Sequence, residues 1–370
     1  MRMINGGMTM RFYMPTDVYE SENCVKVYSK QWTCFGKKAF IITGKHSSQK
    51  NGSLKDVLEV CKENKIEACI FNDVEENPSI ETVMKAREIG LQEQVDFVIG
   101  LGGGSAMDAA KAISLMIAHP QEDADYLYKN GDSSTLPIVC IPTTCGTGSE
   151  VTGVSVLTIH EKKTKGSISH KIFANVALID GRYLESAPHS ILCNTAVDAL
   201  AHCWESYINA NATDYSRMCV KAGLETWSNC IDLLLMKKDA RIDDYAKMMR
   251  ASAFAGMAIA QTGTSLPHGL SYPITYNLQI PHGAACGYFL AGYLKQSADC
   301  DFLLNLSGFK NMTEWKDFYK KVCIANPLHK KDLEMAKDVL LKNPAKLKNA
   351  PFIVNESILE DIVFEGGHCE

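Results

Sequence analysis

The 370-residue chain lacks several features that would point away from a cytoplasmic enzyme. None of its 14 cysteines falls in a CxxC pair, so neither a zinc-ribbon nor a thioredoxin-like motif is present. Their scatter from Cys24 to Cys369 does not resemble the disulfide framework of a small secreted domain, and reduced thiols in a cytoplasmic protein are expected. The opening stretch MRMINGGMTMRF has no apolar segment of signal-peptide length. Apolar runs such as Ala253–Ala260, interrupted by Gly256, are far too short to span a bilayer. No strong charge of either sign is present. A net charge of −5 gives no electrostatic reason to expect nucleic-acid or membrane binding. Internal repeats and low-complexity tracts are absent too, which argues against a solenoid or a linker-rich protein.

What is present is a long, 46% hydrophobic chain, enough for two domains and a large core. In the first half, short β-rich runs (Ala39–Thr43, Ala68–Phe71, Phe97–Gly100, Pro137–Ile141) alternate with amphipathic stretches over Leu54–Asn64, Ser79–Gly90 and Ser105–Ala118. That alternation predicts βαβ units and a parallel sheet. Val154–Thr158 and Val176–Asp180 read as further strands, with a loop or short turn over Gly146–Thr152. Beyond about Ser190 the strand signal fades. Helical patterns follow at 194–210, 213–236, 242–262, 282–297, 312–324 and 330–341. The expected division is an α/β nucleotide-binding domain over 1–187 and an all-α domain over 188–370, with a frayed tail after Glu365.

Two loops stand at the carboxyl ends of predicted strands. In the first, Gly100-Leu-Gly102-Gly103-Gly104-Ser105 opens a helix, and Ser105 and Asp108 have the spacing of an N-cap and its N3 partner. Glycines there admit a ligand close to the backbone, and a free helix N-terminus suits a pyrophosphate. The same run could be a plain tight turn, since it is neither GxGxxG nor a Walker A motif. The second, Pro142-Thr143-Thr144-Cys145-Gly146-Thr147-Gly148-Ser149-Glu150, is dense in hydroxyls. Together they favour a dinucleotide crevice.

A third pattern suits a metal. Asp198 and His202, four apart in a predicted helix, share one face. His268 and His282 each lie between Pro and Gly, which suggests fixed element ends. One carboxylate and three imidazoles suit Fe, Zn or another first-row ion. The pair alone is a common chance spacing. The other histidines lack comparable context and are assigned no role, and short basic runs such as Lys162, Lys163 and Lys165 read as a solvated loop.

Taken together, GGGSAMDAAK, PTTCGTGSEVT, the Asp198/His202 pair and the two His-Gly motifs resemble the iron-containing alcohol dehydrogenases, in the family's order and over nearly the whole chain. The resemblance implies a dehydroquinate synthase-like architecture: an N-terminal dinucleotide-binding α/β domain and a helical C-terminal domain, with the metal in the cleft. It implies metal ligands Asp198, His202, His268 and His282, holding Fe(2+) or Zn(2+). It places Gly102, Gly103, Gly104 and Ser105 at the pyrophosphate. Asp108, Thr143, Thr144, Thr147, Ser149 and Thr152 would line the ribose and nicotinamide side. Lys165 matches a family lysine that reaches the cofactor, and Glu205 an acidic position beside the metal helix. A homodimer acting on a small alcohol or aldehyde is implied as well.

The chain departs from the family pattern at informative positions. Gly44 stands where NAD-preferring members often carry Asp, and Lys45, Ser47 and Ser48 follow as possible phosphate donors, so NADP(H) is expected over NAD(H). Gly44 could equally be a turn glycine. Tyr272 stands where many members have a proton-relaying His; either it or water relays the proton, and with a pKa near ~10 a tyrosine is the weaker shuttle at neutral pH. Ala196, Cys145, Cys203 and Gly181 also replace more usual residues without removing a ligand. The competing readings are a dehydroquinate synthase-type lyase, a glycerol dehydrogenase-like polyol oxidoreductase and a non-catalytic nucleotide-binding scaffold. The uncharged segments flanking His268 and His282 argue against the lyase. Small aliphatic aldehydes are the default substrate, with lactaldehyde, succinic semialdehyde and sulfoacetaldehyde as polar alternatives.

Overall fold

The computed structural model describes residues 10–162, 164–323 and 328–365, with the side chain of Lys162 left out. The tail after Glu365 lies outside the described residues.

Six strands form one parallel sheet: β1 (Asp17–Glu20), β2 (Lys38–Thr43), β3 (Glu67–Phe71), β4 (Phe97–Gly102), β5 (Ile138–Pro142) and β8 (Val176–Ile179), in the order β1-β8-β5-β4-β2-β3. Between β5 and β8, a separate antiparallel hairpin joins β6 (Val156–Ile159) to β7 (Thr164–Ser167). The crossovers are α1 (Ser53–Glu63), α2 (Ile80–Gln92) and α3 (Gly104–Ala118). Strands β4 and β5 are buried along their whole length, as continuous apolar runs in a parallel sheet must be. The two sheet faces carry separate apolar clusters, one around Phe40, Val98 and Met107 and one around Ile41, Ile99 and Tyr183. The short edge strand β1 (DVYE) and the hairpin strand β7 (TKGS) carry no apolar alternation, so periodicity does not reveal them.

Strand order decides where ligands go. From β2 the chain steps outward to β3, then returns to β4 and proceeds to β5 on the other side. The order therefore reverses between β2 and β4, and open α/β sheets bind ligands at the carboxyl ends beside such a reversal. Register brings the three ends level, with Thr43 opposite Leu101 and Gly102 opposite Pro142. Gly44, Gly102–Ser105 and Thr143–Thr152 consequently leave the sheet at the same edge.

From His189 onward the described chain is helical, with the longer helices α4 (His189–Ile208), α5 (Asp214–Ser228), α6 (Ile242–Thr262), α7 (Leu266–Leu278), α8 (His282–Lys295), α9 (Met312–Val322), α10 (Lys330–Leu341) and α11 (Glu356–Phe364). Residues 196–208 of α4 are all buried, which makes it the central helix of this half. The expected segment over 213–236 divides into α5 and a short helix over Ile231–Leu234. Helix α7 is absent from the periodicity reading because Pro267 and Pro273 lie in it. Pro267 falls in the first turn, where its missing N–H costs nothing, and the buried face around Leu266, Leu270 and Ile274 holds the helix together past Pro273.

Candidate metal and cofactor site

Asp198 and His202 project from the buried middle of α4, one turn apart, with only 3% and 5% of their surface exposed. His268 lies in the first turn of α7, and His282 is the first residue of α8, preceded by Pro281 at the cap. The Pro-His-Gly setting thus marks helix starts, as the sequence suggests. Asp198 Oδ1 is 3.9 Å from His202 Nε2, 3.5 Å from His268 Nε2 and 3.8 Å from His282 Nε2. Two donors about 2.1 Å from one ion at a tetrahedral angle lie about 3.4 Å apart, so these spacings fit a small contraction around a metal.

Each ring is turned so that Nε2 faces this point. His202 Nδ1 donates to the Gly146 carbonyl at 3.1 Å, and His268 Nδ1 donates to the fully buried Glu205 at 2.5 Å. Glu205 also accepts the Ser265 N–H. Orienting partners of this kind fix the tautomer of a ligating imidazole. Two buried atoms, Asp198 Oδ1 and His268 Nε2, have no hydrogen-bond partner. A buried carboxylate oxygen left unpaired is costly, and an ion among the four donors would satisfy it.

The electrostatics agree. Burial pushes His202 down to about 4 and His282 down to about 3, so both are neutral and able to bind a metal at neutral pH. Against the cost of burial, the three imidazoles hold the Asp198 carboxyl well below its usual range. His268 is raised well above its ordinary value: burial opposes its charge, but Cys286, Glu205 and Asp198 outweigh it. That is a site which draws positive charge.

At the sheet edge the two glycine-rich loops pack on each other. Gly102 has φ of +150°, and a Cβ on it would meet Ala106 at 2.9 Å. A Cβ on Gly104 would come within 2.7 Å of Thr147. Only glycine therefore lets α3 begin this close to the second loop. Thr143, Ser149 and Thr152 are buried, and Thr144 and Thr147 partly so. A third loop at this edge carries Gly44, Lys45 and Ser47, with Lys45 Nζ 3.6 Å from Asp73.

Family models for the iron-containing alcohol dehydrogenase and for the C-terminal part of the Fe-containing family match residues 15–181 and 192–342. The chain belongs to the iron-containing alcohol dehydrogenase family. It is 33% identical over 273 residues to long-chain-alcohol dehydrogenase 1 of Geobacillus thermodenitrificans, covering 71% of this chain and 68% of the relative. It is 30% identical over 294 residues to the NADPH-dependent butanol dehydrogenase of Clostridium saccharobutylicum, covering 77% and 74%. The structure of an iron-containing alcohol dehydrogenase from Thermotoga maritima superposes with a TM-score of 0.88 at 35% identity, over 97% of this chain and 99% of that one. An alcohol dehydrogenase with a dehydroquinate synthase-like fold, a metal and a nicotinamide cofactor is therefore the family to which these residues belong.

Within that frame the structure relocates several residues. Helix α3 starts at Gly104 with Gly103 as its cap, so Ser105 is not the N-cap; its hydroxyl accepts the Asn77 N–H at 3.0 Å instead. Asp108, expected along the cofactor, has its carboxylate committed inside the fold. Ser149 Oγ donates to it at 2.5 Å and the Val156 N–H at 2.9 Å. Ser48, a suggested phosphate donor, is fully buried and accepts from Thr43 Oγ1. Lys165 is not in a solvated loop. It stands on β7 and lines a cleft of about 270 Å³ with Thr158, His160, Tyr276 and Pro281, and burial pushes its amine down. Tyr272 stacks on His282, ring centroids 5.8 Å apart, at the side of the site.

Three residues have roles that the sequence reading does not assign. Lys111, fully buried, donates to the Ser149 carbonyl, to Ser149 Oγ and to the Val154 carbonyl, tying the second loop to α3. Glu150 is buried in the same loop. Cys286 faces the metal donors, and its signal was available: it follows His282 by four residues, the same spacing as Asp198 and His202.

Proposed function

We propose that this chain reduces small aldehydes to primary alcohols with NADPH, and runs the reverse oxidation, using one Fe(2+) or Zn(2+) ion held by Asp198, His202, His268 and His282. The observation that carries this reading is the unpartnered pair Asp198 Oδ1 and His268 Nε2, buried where three imidazole Nε2 atoms lie 3.5, 3.8 and 3.9 Å from one carboxylate oxygen. When bound, the ion supplies Lewis acidity toward a carbonyl oxygen and the nicotinamide supplies hydride.

The chain's own residues do the rest. Asp198 and the three imidazoles fix where the substrate oxygen sits. Glu205 holds the His268 ring in the tautomer that leaves Nε2 free. Gly102, Gly103, Gly104 and Ser105 admit the pyrophosphate at the start of α3, with Thr143, Thr144, Thr147, Ser149 and Thr152 lining the ribose and nicotinamide side. Lys165 reaches into the cleft from β7 toward the cofactor. Tyr272, stacked on His282, passes a proton between solvent and the substrate oxygen, or leaves that exchange to water.

The cofactor preference rests on Gly44. Its φ is not in the left-handed region, and a Cβ there would meet only the Val74 carbonyl at 3.5 Å, an ordinary contact. The backbone does not need a glycine there, which supports the reading that a carboxylate is missing for the ligand's sake. Lys45 and Ser47 are the remaining donors toward a 2′-phosphate. The family resemblance supports a cytoplasmic homodimer.

The test is replacement of His268 by Ala. Aldehyde-dependent NADPH oxidation is expected to be lost while NADPH still binds, weakened by no more than about 10-fold. Activity retained in protein of verified metal content overturns the assignment.

A further inference from the structure

Cys286 lies one turn beyond His282 on α8 and has no exposed surface. Its Sγ is 3.7 Å from His282 Nε2 and 4.0 Å from Nδ1. Ligand atoms of Asp198, His268, His282 and Cys286 all lie within 4.8 Å of one another, and His202 adjoins this group through its Nε2, 3.9 Å from Asp198 Oδ1. The thiol therefore faces the same point as the two buried atoms without partners, Asp198 Oδ1 and His268 Nε2. Other cysteines near the site do not. Cys145 bonds Thr195, and Cys203, next to His202 in sequence, faces Gly223 in the helical core.

We propose that Cys286 is a further ligand of the metal, bound as the thiolate, so that the donor set is one carboxylate, three imidazoles and one sulfur. The inference rests on the metal-site reading above and deepens it. Binding exchanges the S–H bond for a metal–sulfur bond, and the proton leaves to solvent. A soft sulfur also changes which ion the site prefers: thiolate favours Zn(2+) and Co(2+) over the harder first-row ions relative to an all-nitrogen and oxygen set.

The experiment uses the full chain, stripped of metal and reloaded anaerobically with Co(2+). Wild type is expected to show visible d–d bands together with a near-ultraviolet sulfur-to-cobalt charge-transfer band. Cys286→Ser keeps the visible bands and loses the near-ultraviolet one. In chelator competition, Cys286→Ala is expected to weaken Zn(2+) by at least the roughly 10–100-fold typical of groups that support a metal site, and Fe(2+) by less. A near-ultraviolet band that survives in Cys286→Ser overturns the proposal. Visible bands without the sulfur band in wild type do the same while leaving the four-residue site standing, and that spectrum decides alone should the variants fail to fold. No cobalt spectrum in wild type removes the metal-site reading itself.

Discussion

His202 Nδ1 donates to the carbonyl of Gly146 at 3.1 Å, so a side chain proposed to hold the metal is fastened from the central helix to the hydroxyl-rich loop at the sheet edge. The two halves of the site share a mechanical element. Gly146 has little room to move in response, because a Cβ on it would meet Thr195 of α4 at 2.7 Å. The His202–Gly146 bond is thus a direct link between the proposed metal donors and the loop that carries Thr143, Thr147 and Ser149.

Metal and cofactor binding should accordingly be coupled. Removing the metal is expected to weaken NADPH binding by about 5–10-fold, within the usual range of coupling free energies. Fluorescence titration of NADPH against stripped and reloaded protein measures this. Equal affinities in the two forms would show that the Gly146 contact transmits nothing.

Glu205 orients His268 through a 2.5 Å bond and also takes the Ser265 N–H. Glu205→Gln keeps the shape and removes the charge. Metal affinity should fall by about 10–100-fold, as is typical when the partner of a ligating imidazole is lost. Glu205→Ala also strands a buried N–H and should destabilise the fold by about 1–3 kcal/mol on top of that. Competition with a chelator and urea unfolding separate the two effects; unchanged metal affinity in the Gln variant would leave Glu205 a purely structural residue.

The strands and helices with strong periodicity were legible in the sequence: the expected helices over 242–262 and 330–341 have the observed ends. The elements it hid are those whose side chains carry no pattern. β1 and β7 are short and polar, and α7 contains two prolines yet is kept helical by its buried face. That Asp198, His202, His268 and His282 come together was legible because two share a helix turn and two sit in Pro-His-Gly. What sequence alone could not rank was which polar residues face the ligand and which face the fold. Asp108 and Ser105 belong to motifs that look alike on paper, but Asp108 turns toward Ser149 and Val156 and Ser105 toward Asn77. Only the packing of α3 against the second loop decides that.

Gly44→Asp tests the cofactor reading directly. The Cβ fits, so the substitution should fold. An added carboxylate would attract Lys45, already shared with Asp73, and repel a 2′-phosphate while accepting from a ribose hydroxyl. The ratio of kcat/KM for NADPH to that for NADH should drop by roughly 10-fold or more, equivalent to about 1.4 kcal/mol. A ratio that stays constant would mean the 2′ position is read elsewhere.

Glu150 gives a pH signature free of the metal. Only 2% of it is exposed, and burial raises its carboxyl from the usual 4.5 to about 7. Between those values the folded chain holds a proton that the unfolded chain has released. Stability from this group is thus full below about 4.5 and is lost as pH rises through 7. At pH 8 the buried charge costs about 3.5 kcal/mol, from 2.5 pH units at about 1.4 kcal/mol each. Glu150→Gln cannot ionise, so relative to wild type it should gain about 2.5 kcal/mol between pH 5 and pH 8, part of the cost being already present at pH 5. Urea unfolding at the two pH values measures the difference. A variant whose advantage does not grow with pH would show that Lys111 and the Glu150 backbone N–H already satisfy the charged form.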